Sequence, residues 1–131
     1  MFNIFRKKHE IFPEAIIASN WWASKLLEPT VRYYNGSMCY SIQKESIPSK
    51  ESVAVFRSNL TQIINNCMES IETSFPYNLC ISSSNDELVR LANEANIENF
   101  EYHFGNGAIM FIEFDDVSVK EVGRKSFKIR K

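Results

Sequence analysis

Between Phe12 and Leu27 the chain repeats its apolar positions every three or four residues. Phe12, Ala15, Ile16, Trp22, Ala23, Leu26 and Leu27, with Ser19 among them, fall on one broad arc of a helix. Pro13 suits the first helical position and Pro29 blocks continuation, so the spacing predicts a helix over about 13–28. Ile17 and Trp21 lie on the opposite side, one turn apart, where they are either covered by another segment or presented to a partner.

A second stripe at helical spacing, Val53, Phe56, Leu60, Ile63, Ile64, Cys67 and Ile71, predicts a long helix from Lys50 to Thr73. It is entered through Pro48-Ser49 and closed before Pro76. Ser84 followed three residues later by Glu87 reads as a capping box opening a third helix, with Leu88, Leu91, Ala92 and Ala95 inward. Asn96 tolerates the left-handed backbone that would close it.

Elsewhere the period falls to two. Tyr77–Ile81 reads as a short strand, and Ala108–Phe114 and Val117–Val122 as a hairpin turning at Asp115-Asp116, with a final strand over Ser126–Ile129. Gly105 and Gly107 mark a tight bend before the hairpin. Residues 30–48 admit two readings: two strands about an Asn35-Gly36 turn, or a loop at Gly36 and a short helix capped by Ser37 and reaching Lys44. The second is preferred.

These elements predict one α+β domain over 1–131, with two or three helices packed on one face of a small, mainly antiparallel sheet. The basic ends, 1–11 and 123–131, are expected as mobile tails. At 131 residues with 44% hydrophobic side chains, the chain is long enough to bury a core without a staple. Cys39, Cys67 and Cys80 match neither a disulfide framework nor a metal knuckle, and are read as free, buried thiols. No stretch approaches the roughly 18 apolar residues of a membrane span. The opening Met1-Phe2-Asn3-Ile4-Phe5-Arg6-Lys7-Lys8 places its charges after its apolar residues, unlike an ordinary signal peptide. Both features point to the cytoplasm.

Charge changes the picture more than composition does. The overall value of −1 conceals a stretch from Cys67 to Val119 with ten carboxylates against Arg90 alone, a net −9, followed by a strongly basic end. So many carboxylates cannot all be neutralised within that stretch. They face solvent or a basic partner, and their sign repels nucleic acid. The candidate partner-binding residues are therefore Glu87, Glu94, Glu98, Glu101, Glu113, Asp115 and Asp116, with Trp21 as an exposed aromatic contact.

Catalytic and cofactor chemistry finds little support. His9 and His103 have no second ligand at metal-binding spacing, and each reads as a surface histidine. Cys80 with His103 across the sheet is the one nucleophile–base pair to consider, and a buried strand cysteine explains Cys80 as well. Gly105-Asn106-Gly107 precedes a strand, not a helix N-terminus, and so reads as a turn and not a phosphate loop. Trp21, Trp22, Tyr33, Tyr34 and Tyr40 lack the basic groove that accompanies base stacking. No catalytic residue, metal, cofactor or small-molecule substrate is assigned.

Several segments resemble short bacterial proteins of phages, plasmids and other mobile elements: Asn20-Trp21-Trp22-Ala23, Asn35-Gly36, Phe56-Arg57-Ser58-Asn59-Leu60, Leu79 through Ile97, and Phe104-Gly105-Asn106-Gly107-Ala108-Ile109-Met110-Phe111-Ile112. The chain departs from that pattern at Ser82-Ser83-Ser84-Asn85 and at Phe104–Ala108. The resemblance implies a mobile-element context, in which small proteins often inhibit host defence. Together with the charge asymmetry it leads to an expected function: a non-enzymatic inhibitor that binds a basic, nucleic-acid-binding protein through an acidic face, most concretely an anti-CRISPR protein acting on an effector nuclease. An immunity protein that neutralises a cognate toxin is the alternative.

Overall fold

Proline and small residues set the first helix. In the computed structural model, which describes residues 10–35, 37–71, 78–121 and 127–129, α1 spans Pro13–Leu27 with Pro13 in its first turn. Its buried stripe is Ala15, Ala18, Ser19, Trp22, Ala23 and Leu26. Ile16 and Leu27, expected on the core arc, are exposed, because the arc that meets the rest of the protein is narrower than the apolar arc. Ile17 and Trp21 are covered: both are half-buried and packed against the core.

Helix α2, Lys50–Ile71, runs antiparallel to α1. Asn65 Oδ1 accepts the Phe12 backbone N–H at 2.8 Å near one end, and the Ser19 and Thr61 hydroxyls meet midway. Alanine and serine at the crossing let the two backbones approach closely. Val53, Phe56, Leu60 and Ile64 face inward as expected, joined by Met68, while Cys67 points outward. The predicted last turn, 72–73, lies outside the described residues.

Residues 30–48 correct the preferred reading. They form a hairpin of β1 (Thr30–Asn35) and β2 (Met38–Gln43), with Tyr33 opposite Tyr40 and Val31 opposite Ile42. No helix forms there, because β-branched and aromatic residues pack better on a pleated surface and only Val31 is placed in the core. The Tyr33 and Tyr40 rings stack at 5.7 Å.

The second sheet has the order β3-β4-β5-β6, all antiparallel, from Asn78–Ser82, Ala108–Glu113, Asp116–Glu121 and Phe127–Lys128. Its inner face carries Ala108, Met110, Ile112, Val117 and Val119, all buried; its outer face carries Cys80, Phe111 and Ser118 in a row. Glu113 pairs with Asp116, so the hairpin turns at Phe114-Asp115, one position earlier than predicted, with Asp115 left-handed at φ 68°.

Helix α3, Asp86–Glu94, buries Leu88, Leu91 and Ala92. Its N-cap is Asn85, whose side chain accepts the Glu87 N–H at 2.8 Å, not Ser84, whose hydroxyl faces Ser82. Both residues can cap; the chain enters one position later. Asn96 is left-handed at φ 65°, as read. A 3-10 helix over Phe100–Phe104 then delivers Phe100 and Phe104 to Trp22 and Phe56, with ring centroids 4.8–6.1 Å apart. Among the described residues, three α-helices and two antiparallel sheets around this aromatic centre make an α+β fold.

Candidate functional site

An open cleft of about 680 Å³ lies among the described residues. Three segments form it: the loop after β2, with Glu45 and Ser46; one side of α3, with Val89 and Asn93; and the run Glu98–His103. Each is held by local structure. Asn96 and Asn99 take left-handed conformations that swing the chain out of α3 and into the 3-10 helix, so Glu98 and Glu101 project outward while Ile97, Phe100 and His103 project inward. A smaller cavity of about 180 Å³ continues it past Ile47 and Pro48.

Three carboxylates, Glu45, Glu98 and Glu101, line the cleft, and no lysine or arginine does so among the described residues. Phe100, Tyr102 and Val89 supply an apolar wall. Glu87 and Glu94 stand beside the cleft on α3, where Arg90 bridges them at 2.7 and 3.1 Å. All three of these side chains are about half exposed, so the bridge is a weak, salt-sensitive one.

His103 forms part of the floor. It is 5% exposed, its Nδ1 has no hydrogen-bond partner, and burial, with the nearby Lys44 charge second, pushes its pKa down to about 4. It is a buried, neutral histidine and not the surface residue expected. The sequence offered no period from which to read this, because the 3-10 helix is only five residues long.

Lys44 sits behind the floor, also buried. Its ammonium donates to the carbonyls of Lys25 at 2.9 Å and Leu26 at 3.3 Å in the last turn of α1. Desolvation lowers its pKa to about 8, against the opposing attraction of Glu28. The loop that carries Glu45 is thereby anchored one residue from a fixed point.

The remaining candidates lie elsewhere. Glu113 and Asp116 face each other across the β4–β5 hairpin, Asp115 occupies its turn, and the Asp115 N–H donates to the Glu14 carboxylate. Glu113, Asp115 and Asp116 do not line the cleft. The cleft and the hairpin turn therefore hold different sets of the candidate carboxylates. Trp21 lines neither; it stacks on Phe104 at 6.3 Å with the Lys25 ammonium 5.7 Å from its ring. Glu45 was missed by the sequence reading, since it lies outside the −9 stretch.

Other chemistry is distributed. Cys80 lies on the outer face of the sheet and does not line the cleft with His103, so the two are not brought together. All three cysteines are exposed, contrary to the expected burial: Cys39 and Cys80 fall on strand faces that nothing among the described residues covers, and Cys67 on the solvent side of α2. His9 lies outside the described residues. Among the described residues no group of three His, Cys, Asp or Glu side chains is placed to hold a metal ion, and no helix is long and apolar enough to cross a membrane.

Fold and cleft together define an α+β domain with an acidic recess. Comparisons with protein-family models, with curated proteins and with solved structures find no match to this chain.

Proposed function

We propose that the protein is a non-enzymatic inhibitor that captures a basic segment of a protein partner in the acidic cleft. One observation carries the reading: Glu45, Glu98 and Glu101, from segments more than fifty residues apart in sequence, share one recess with no cationic side chain lining it among the described residues. A recess walled by protein screens charge less than open water does, so an entering arginine or lysine gains more there than on a flat surface. The cleft volume is in the range that accommodates ligands of several residues' side chains, and its apolar wall suits the stem of a long basic side chain. The uncompensated Nδ1 of His103 adds a polar group at the floor.

The partner this chemistry suits is a protein whose own function is to hold nucleic acid, because its groove is lined with lysine and arginine. A CRISPR effector nuclease is the concrete form proposed. Occupying such a groove competes directly with the phosphate backbone.

Fluorescence anisotropy with a labelled arginine-rich peptide tests the reading. Wild-type protein should bind at low salt and release the peptide as salt rises. The combined variant Glu45→Gln, Glu98→Gln, Glu101→Gln should bind about tenfold or more weakly, whereas Glu113→Gln with Asp116→Asn should bind like wild type. Absence of binding by the wild type, or equal loss in both variants, overturns the cleft as the site.

A further inference from the structure

Strand β2 has one edge with no partner among the described residues, and the geometry of β1 tells which of its backbone groups point there. The side-chain amide of Asn106 accepts the Tyr34 N–H at 2.9 Å and donates to the Tyr34 carbonyl at 3.2 Å. The backbone polar groups of Tyr34 therefore face away from β2, and Tyr34 and its partner Cys39 are a non-hydrogen-bonded pair. By alternation, Cys39, Ser41 and Gln43 turn their N–H and carbonyl groups outward from the hairpin.

Nothing in β2 protects this edge. Met38-Cys39-Tyr40-Ser41-Ile42-Gln43 holds no charge and no proline, and all six residues are exposed. Natural edge strands are usually blunted by lysine, proline or a bulge. Beside the open edge, one face of the hairpin exposes Met38 at 65%, Tyr40 at 49% and Ile42 at 46%. Exposed donors, acceptors and apolar side chains coincide on one strand.

We infer that β2 pairs with β2 of a second copy of this chain, antiparallel about a two-fold axis through Ser41, to form a four-stranded intermolecular sheet. A second copy is the occupant because the strand is complementary to itself. With Ser41 opposite its symmetry mate, Cys39 falls opposite Gln43, so every outward residue of β2 meets an outward residue of the other copy. A shift by one residue would oppose outward groups to inward ones. The same register places Tyr40 against Ile42 on the apolar face, extending the Tyr33–Tyr40 stack and Val31–Ile42 pair across the interface. An uncharged strand incurs no repulsion against its own copy, whereas the acidic cleft and the basic end of the chain are carried by other segments. The pairing is isologous, so it closes at two copies.

Sedimentation equilibrium from micromolar to millimolar concentration tests this. The wild type should reach a dimer. Ser41→Pro removes an outward N–H that β1 does not use, so the hairpin and the circular dichroism spectrum should survive while dimerisation weakens about tenfold or more. Ile42→Lys, which brings a charge to the apolar face beside the axis, should weaken it at least as much. Phe111→Lys removes an equally exposed apolar residue from the other sheet and should leave the dimer intact. A wild type that stays monomeric, or a folded Ser41→Pro variant that dimerises like the wild type, overturns the inference.

Discussion

The Lys44 ammonium lies 2.9 Å from the carbonyl oxygen of Lys25, so a residue that follows β2 closes the end of α1. Nineteen residues separate the two in sequence, and α1 has no side-chain cap of its own at its other end. Replacing Lys44 by Met keeps the stem and leaves the Lys25 and Leu26 carbonyls without this donor. The variant should unfold at lower urea, with a loss of about 1–2 kcal/mol at pH 7. Because the folded pKa of about 8 is below the ordinary value of 10.5, the unfolded chain holds more protons between those values. Wild-type stability should carry a component that rises from pH 8 to 10.5 and is missing in the Met variant.

His103 makes a parallel contribution at lower pH. Its pKa falls from 6.5 to about 4 on folding, so the unfolded state binds the extra proton within that window. Stability from this group is fully present above pH 6.5 and is lost as pH falls through 4. The loss should reach about 2–3 kcal/mol. Urea melts at half-unit steps from pH 7 to 4, compared with His103→Phe, should show the wild-type slope and its reduction in the variant.

Gly105, at the end of the 3-10 helix, lies close against the Arg32 backbone of the hairpin. Its φ is +58°, and an added Cβ would overlap the Arg32 carbonyl oxygen. Gly105→Ala therefore combines backbone strain with a steric clash and should destabilise by about 2–4 kcal/mol. Thermal unfolding followed by circular dichroism measures the drop in Tm. The neighbouring Asn106→Ala removes only the two hydrogen bonds to Tyr34 and should cost less.

The three thiols are free and exposed, and their reactivity follows from that placement. All three should react with a thiol reagent such as Ellman's without denaturant. Adding urea should not raise the count. A native count below three would contradict the described placement of at least one of them.

Asn65 joins the two long helices by accepting the Phe12 N–H. It is 4% exposed, so Asn65→Leu removes the acceptor of a buried hydrogen bond and should cost about 1–3 kcal/mol. Asn65→Asp restores an acceptor and should cost less above pH 5 than at pH 3, where its carboxyl is protonated. Chemical denaturation of the two variants at both pH values separates the hydrogen bond from a change of shape.

What the amino-acid order determined was local. The stripes on α1, α2 and α3 were readable because a helix repeats its exposure every 3.6 residues and these runs are long or well punctuated. The strands 108–113 and 116–121 were readable because Met110, Ile112, Val117 and Val119 alternate with outward residues. Left-handed Asn96 and the bend at Gly105 and Gly107 followed from steric permissiveness alone. Where the local signal was short or shared, the reading failed. Residues 30–43 carry turn and cap residues that serve either state, and Ser84 and Asn85 are equally able to cap.

Only tertiary structure decided the rest. Ile16 and Ile17 are neighbours of the same chemistry, yet packing exposes the first and covers the second. His103 became buried and neutral because the 3-10 helix is pressed against the hairpin by contacts more than sixty residues away in sequence. Of the carboxylates of the acidic stretch, Glu98 and Glu101 line the cleft while Glu113 and Asp116 pair across the β4–β5 hairpin, and Glu45, from a different segment, joined the first two. Periodicity records which way a side chain points from its own element. It carries no record of which distant element arrives opposite, and a binding recess is made of such arrivals.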